Sequence, residues 1–208
     1  MITIVGCGPG SKKHITAAAR QAIDHAELVA ASRAVQIRLK PLTARTITIG
    51  ANTRETLDLL EEEIRVGEQP VVAVSGDPGI SSFARLVLQR FGRDNCTVIP
   101  GISSLQVCFA RLGLDWTRFF VVNAHGREPD EEFSLAARFK TIAVLNGGPG
   151  GREWIASFLK AADYTYRVWL CENMTLSGEN VRELAPDAIA TTECESLSIF
   201  MLVEKDVL

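Results

Sequence analysis

Asp77 stands between Gly76 and Pro78-Gly79, three positions after the end of the apolar run Val71-Val72-Ala73-Val74, and is the one carboxylate of that turn. A carboxylate at a strand end can accept hydrogen bonds from ribose hydroxyls or an amino group. Asp before Pro equally serves to start a turn. Two more apolar runs end in small, tight turns: Ile2-Thr3-Ile4-Val5 enters Gly6-Cys7-Gly8-Pro9-Gly10, and Thr97-Val98-Ile99 enters Pro100-Gly101-Ile102-Ser103-Ser104. Ser103 and Gln106 have the spacing of a helix capping box. The amides of such a helix start also suit a ligand carboxylate. Further on, His125-Gly126-Arg127 comes after an apolar segment and is the best placed of the three histidines; His14 and His25 fall on surface or helix positions. Three strand ends of this kind point to one ligand site at the carboxyl edge of an open α/β sheet.

Several common chemistries do not fit these residues. A dinucleotide fingerprint G-x-G-x-x-G would need glycine at position 11, which is Ser11, and Pro9 removes an amide donor where a pyrophosphate would be cradled. The second strand ends in Ala30-Ala31-Ser32, without the acidic residue that holds a ribose. No G-x-x-x-x-G-K-[ST] loop, nucleophile elbow or Ser/His/Asp pattern is present. Neither H-E-x-x-H nor paired Cys-x-x-Cys spacing occurs, so no metal site is expected. No residue is marked as a catalytic acid, base or nucleophile.

The elements that must position these turns alternate. Strands are expected at 2–5, 27–31, 46–49, 71–75 and 97–99, with helices at 16–25, 51–66, 81–91 and 103–112. Thr16 reads as an N-cap, Asn52 with Glu55 as a capping box, and Gly67 and Gly113 as stops. Near Gly113 the pattern restarts. Strands are expected next at 119–123, 141–145, 166–171 and 197–203, with helices at 130–139 and after the glycine-rich turn 146–151. The expectation is an α/β protein of two αβα domains, 1–113 and 114–208, the first mainly parallel, with the ligand cleft between them.

Bulk properties narrow the setting. The chain of 208 residues is 47% apolar and 23% charged, with net charge -3. An acidic balance with dispersed basic residues weighs against nucleic acid as partner. Five scattered cysteines, an odd number, read as thiols in a reducing cytoplasm. The N-terminus enters a strand directly and no apolar stretch reaches membrane length, so no membrane association is expected.

Taken together, the words Val5-Gly6-Cys7-Gly8-Pro9-Gly10 with Ile15-Thr16, Ser75-Gly76-Asp77-Pro78-Gly79 and Pro100-Gly101-Ile102-Ser103-Ser104 resemble, in order, the tetrapyrrole methylase family. The resemblance spans essentially the whole chain. Residues 100–116, Ala124-His125-Gly126-Arg127 and Cys171-Glu172-Asn173 resemble more narrowly its CbiE-type branch, which methylates C5 of a late (cobalt-)precorrin in cobalamin biosynthesis. The resemblance implies S-adenosylmethionine as cofactor, with contacts at Pro9, Gly76, Asp77, Ile80, Ser103, Ser104, Leu145 and Asn173. It also implies a corrinoid substrate, a homodimer, and a separate CbiT-type decarboxylating methyltransferase as partner. The macrocycle's acetates and propionates suit Arg33, Arg85 and Arg127 near loop ends, and His125 is a candidate substrate contact and proton acceptor by its position alone. Other readings are a family member acting on RNA or a translation factor, a nicotinamide-dependent oxidoreductase, and a non-catalytic binder.

Overall fold

The computed structural model describes residues 1–146 and 148–207, so Gly147 of the expected glycine-rich turn lies outside the described residues. The chain divides into two compact units, Met1–Ser104 and Leu105–Leu208. The division falls at the start of a helix rather than at the Gly113 stop. The buried residues of that helix explain why: Phe109 packs edge-on against Phe119 at 4.9 Å and so belongs with the second unit.

In the first unit, β1 (Ile2–Gly6), β2 (Leu28–Ala31), β3 (Arg45–Thr48), β4 (Val71–Val74) and β5 (Cys96–Ile99) form one sheet in the order β3-β2-β4-β1-β5, with every pair parallel. The three inner strands are buried on both faces, which is why β1, β2 and β4 read as near-continuous apolar runs. Alternate residues serve opposite faces. Val5, Val29, Ala31, Val71 and Ala73 pack with Ala19 and Ile23 of α1 (Ala17–Asp24) and Val35 and Leu39 of α2 (Arg33–Leu39). Ile2, Ile4, Ala30, Val72 and Val74 pack with Leu57 and Leu60 of α3 (Thr53–Arg65) and Ala84 and Val87 of α4 (Ala84–Phe91). Side-chain caps start three of these helices. Thr16 accepts from the Ala19 amide, Ser32 from Val35 and Asn52 from Glu55. Helix α2 was not among the sequence expectations: its two buried residues, Val35 and Leu39, make too short a stripe to mark a helix.

α5 (Ser104–Leu112) opens the second unit, ending at Gly113 with φ of 66°. Then come β6 (Phe120–Ala124), α6 (Phe133–Ala136), β7 (Thr141–Asn146), α7 (Pro149–Ala161), β8 (Tyr166–Glu172), β9 (Asn180–Leu184) and β10 (Ser198–Glu204). The sheet order is β6-β7-β10-β8-β9; only β6 and β7 are parallel. Strand β9 was not expected from sequence. It is an edge strand with one buried residue, Leu184, and its charged Arg182 and Glu183 conceal the pattern. One face of this sheet carries an aromatic core: Trp154 stacks on Phe158 at 5.2 Å, and Phe158 meets Phe133 and Tyr166 edge-on. From the other side, Cys108 of α5 meets Cys171 of β8; that neighbour and burial push the Cys108 thiol far above its ordinary range. Among the described residues no helix is long and apolar enough to cross a membrane.

Candidate functional site

Because all strands of the first sheet share one direction, β1, β4 and β5 release their chains at a single edge. The neighbours β1 and β4 then part company. β1 continues to α1 on one face of the sheet, and β4 continues to α4 on the other. A crevice forms where adjacent parallel strands send their crossovers to opposite faces. The turns outside it are Gly6–Gly10 and Gly76–Gly79, with Pro100–Ser104 beyond β1 on the far side.

These three turns touch through their backbones. Gly8 N–H donates to the Gly76 carbonyl at 3.2 Å and Gly76 N–H donates back to Gly8 at 2.8 Å. Both glycines are left-handed, with φ of 70° and 67°. Gly6 admits no side chain: a Cβ there would lie 2.6 Å from Gly101 Cα and 2.7 Å from the Gly76 oxygen. A Cβ on Gly101 would overlap the Gly76 oxygen as well. The glycines are therefore required by close approach of one loop to the next, rather than by a pyrophosphate.

Asp77 completes the tie. Its Oδ1 accepts from Gly79 N–H at 2.8 Å and its Oδ2 accepts from Gly101 N–H at 2.9 Å. The carboxylate thus joins the turn after β4 to the turn after β5, and each oxygen keeps acceptor capacity for a second donor. Around it lie the other expected contacts of the first unit. Pro9 and Ser103 are buried, Ile80 and Ser104 are half-buried, and Ile80 N–H closes a turn onto Asp77 O at 3.3 Å. The structure brings Pro9, Gly76, Asp77, Ile80, Ser103 and Ser104 to one edge of one sheet.

In the second unit, half-buried Leu145 pairs with Ile199 and Asn123 near the end of β7. Asn173 comes directly after β8 with φ of 50° and donates its N–H to Leu197 O at 3.0 Å. Its neighbour Glu172 is buried and engaged: it accepts from Glu195 N–H at 3.0 Å and Asn180 Nδ2 at 3.3 Å, with Arg182 Nε at 3.6 Å.

The expected substrate residues are placed less uniformly. Arg33 begins α2 and Arg85 lies in the first turn of α4, both exposed. His125 is exposed after β6, its N–H donating to Asn123 Oδ1 at 3.1 Å. Arg127 is bonded to Asp130 and Glu131, and it holds the Asp130 carboxyl below its usual range.

Arg38 was not singled out from sequence. Its Nη2 donates to Ser75 Oγ at 3.1 Å, and its Nη1 makes a long 3.5 Å bond to the Gly8 carbonyl. It sits beside Cys7, whose buried thiol is pushed up to about 11 despite the opposing charges of Arg38 and Arg20. No sequence motif marks a side chain whose partners are a backbone carbonyl and a serine. A cleft of about 340 Å³ opens elsewhere, bordered by Thr3, His25, Glu27, Glu68 and Val71. It lies at the amino ends of β1 and β4, opposite to the glycine turns.

The model of the tetrapyrrole (corrin/porphyrin) methylase family matches residues 1–187. The cobalt-precorrin-7 C(5)-methyltransferase of Salmonella typhimurium is 28% identical over 206 residues, covering 99% of this chain and 100% of that protein. A probable cobalt-precorrin-7 C(5)-methyltransferase of Methanocaldococcus jannaschii is 25% identical, with 96% of each chain covered. Among solved structures, the precorrin-6Y methylase (cbiE) of Archaeoglobus fulgidus matches with a TM-score of 0.74 and 28% identity, covering 98% of this chain and 97% of that one. The uroporphyrin-III C-methyl transferase of Thermus thermophilus complexed with S-adenyl homocysteine shares the fold, with a TM-score of 0.80 at 23% identity and the same coverage.

Proposed function

The chain belongs to the tetrapyrrole (corrin/porphyrin) methylase family, and from that premise we propose that it transfers a methyl group from S-adenosylmethionine to C5 of a late precorrin or cobalt-precorrin. The observation that carries this reading is the likeness over the full length of relatives named for that reaction. The edge of the first sheet fits the cofactor. Gly8 and Gly76 present bare backbone, and Asp77 keeps acceptor capacity for a hydroxyl or amino group. When bound, S-adenosylmethionine supplies a methyl carbon already activated by a positively charged sulfur. The chain's own residues then need to orient and to exclude water, and alignment alone contributes about 7–11 kcal/mol in favourable cases. Pro9, Gly76, Asp77, Ile80, Ser103 and Ser104 are proposed to hold the cofactor, with Leu145 and Asn173 as further contacts.

Arg33, Arg85, His125 and Arg127 are proposed to face the substrate; Arg127 would exchange Asp130 and Glu131 for a substrate carboxylate. We also place the protein in the cytoplasm, as a homodimer acting beside a separate decarboxylating methyltransferase; its five free cysteines agree with a reducing compartment. The test is incubation with S-adenosylmethionine and cobalt-precorrin-7 or its metal-free counterpart. One added methyl by mass, located at C5 by NMR, is the expected product. No gain of methyl, or a methyl elsewhere on the ring, overturns the proposal.

A further inference from the structure

The arginines of this chain differ in what they hold. Arg45, Arg90, Arg111, Arg127 and Arg167 each hold a carboxylate of their own unit. Arg38 is inserted between the turns after β1 and β4, where its partners, Gly8 O and Ser75 Oγ, are both neutral. Among the described residues no carboxylate lies within ion-pair distance of it. Burial pulls its pKa down. A half-buried cation without a counter-ion is costly unless an anion arrives from outside. The guanidinium has five N–H donors in a planar fork, of which two are engaged. Lys12 stands just after the first turn and reaches the Lys40 carbonyl at 2.6 Å, just beyond α2.

We propose that Arg38 is a substrate-binding residue, whose guanidinium takes an acetate or propionate carboxylate of the tetrapyrrole at the crevice between β1 and β4. The inference rests on the functional reading above for the substrate's class, not for the position that is methylated. A bidentate carboxylate would use donors that Gly8 and Ser75 leave over. It would neutralise the guanidinium without breaking the bonds that join the two turns. Lysine, a point charge without the fork, is not an equivalent replacement.

The test uses the whole chain and two probes: uroporphyrin, a polycarboxylate tetrapyrrole followed by fluorescence, and S-adenosylhomocysteine followed by calorimetry. Arg38→Gln is expected to weaken uroporphyrin binding about 10- to 100-fold, the scale of a lost charge-assisted hydrogen bond. Arg38→Lys should fall between Gln and wild type, and in both variants uroporphyrin affinity should fall at least about fivefold more than S-adenosylhomocysteine affinity, since the Gly8–Gly76 backbone bonds still join the turns. Unchanged uroporphyrin binding in Arg38→Gln overturns the proposal. So does a parallel fall of both affinities with a lowered Tm, which is the signature of a strut between loops. If Arg38→Gln fails to fold, Arg38→Lys against wild type gives the same contrast. Arg38-dependent probe binding without C5 methylation keeps this inference and sinks the reaction assigned above. A wild-type chain that does not bind uroporphyrin overturns this inference, whatever the methylation assay shows.

Discussion

The first sheet is parallel throughout, and its core clusters are aliphatic, with Phe83 and Phe91 only at their margins. The second sheet is mostly antiparallel, and Trp154, Phe158, Tyr166 and Phe200 sit inside its core. The parallel sheet delivers the ends of β1, β4 and β5 to one edge, where Gly6, Gly8, Gly76, Gly101 and Asp77 knit them together. The mixed sheet sends neighbouring strands in opposite directions and concentrates large rings on one face instead. Strand direction thus decides where a site can be assembled, and ring packing decides where stability is concentrated.

The largest effect should come from the aromatic core. Phe158→Ala removes a ring that is 1% exposed and touches Trp154, Phe133 and Tyr166. A loss of about 3–5 kcal/mol is expected by urea denaturation. A loss under about 1 kcal/mol would mean that the rings are not where stability is held.

Next comes pH. In the unfolded chain the Cys7 thiol ionises near 9.0, whereas the folded chain keeps its proton to about 11. The unfolded state therefore binds fewer protons in that window, and stability falls as pH rises from 9.0 toward 11. The contribution is about 2–3 kcal/mol at most. Cys7→Ala should flatten the fall, leaving the parts due to Cys96, Cys194 and Tyr166, raised by burial, and to Cys108, raised by Cys171 and burial; an unaltered slope would deny Cys7 its role.

Asp77→Ala should cost about 0.5–1.5 kcal/mol, chiefly by removing the acceptor of the half-buried Gly101 amide, the exposed Gly79 amide turning to water. It should also weaken S-adenosylhomocysteine binding, because the tie between two loops is lost; equal affinity by calorimetry would reduce Asp77 to a turn residue. The smallest expected effects sharpen the comparison by being alike. Ile4→Val and Ile142→Val remove one methylene from fully buried sites in the two sheets, and each should cost about 0.5–1.5 kcal/mol. A clear difference between them would show that sheet type, not burial, sets aliphatic cost.

Legibility in the sequence divides along the same line. The inner strands β1, β2 and β4 are legible because burial on both faces demands unbroken apolar runs. Thr16 and Asn52 are legible because caps need particular side chains. The glycine turns are legible as turns, and as a family pattern once three are taken together. Their reason is not, since Gly6 and Gly101 are required by each other across 95 positions of chain. Helix α2 and strand β9 carry too few buried residues to signal themselves. Arg38 escapes for the same reason as Gly101: its partners are distant backbone and a serine.

The central claim is that backbone contact among the three turns makes the cofactor seat. The direct measurement is calorimetric titration of S-adenosylhomocysteine into wild type, Gly101→Ala and Gly50→Ala. A Cβ at Gly101 overlaps the Gly76 oxygen, whereas one at Gly50 meets nothing within 4 Å. Wild type and Gly50→Ala should bind alike, and Gly101→Ala should bind at least about 10-fold more weakly. Equal affinity in all three would contradict the claim.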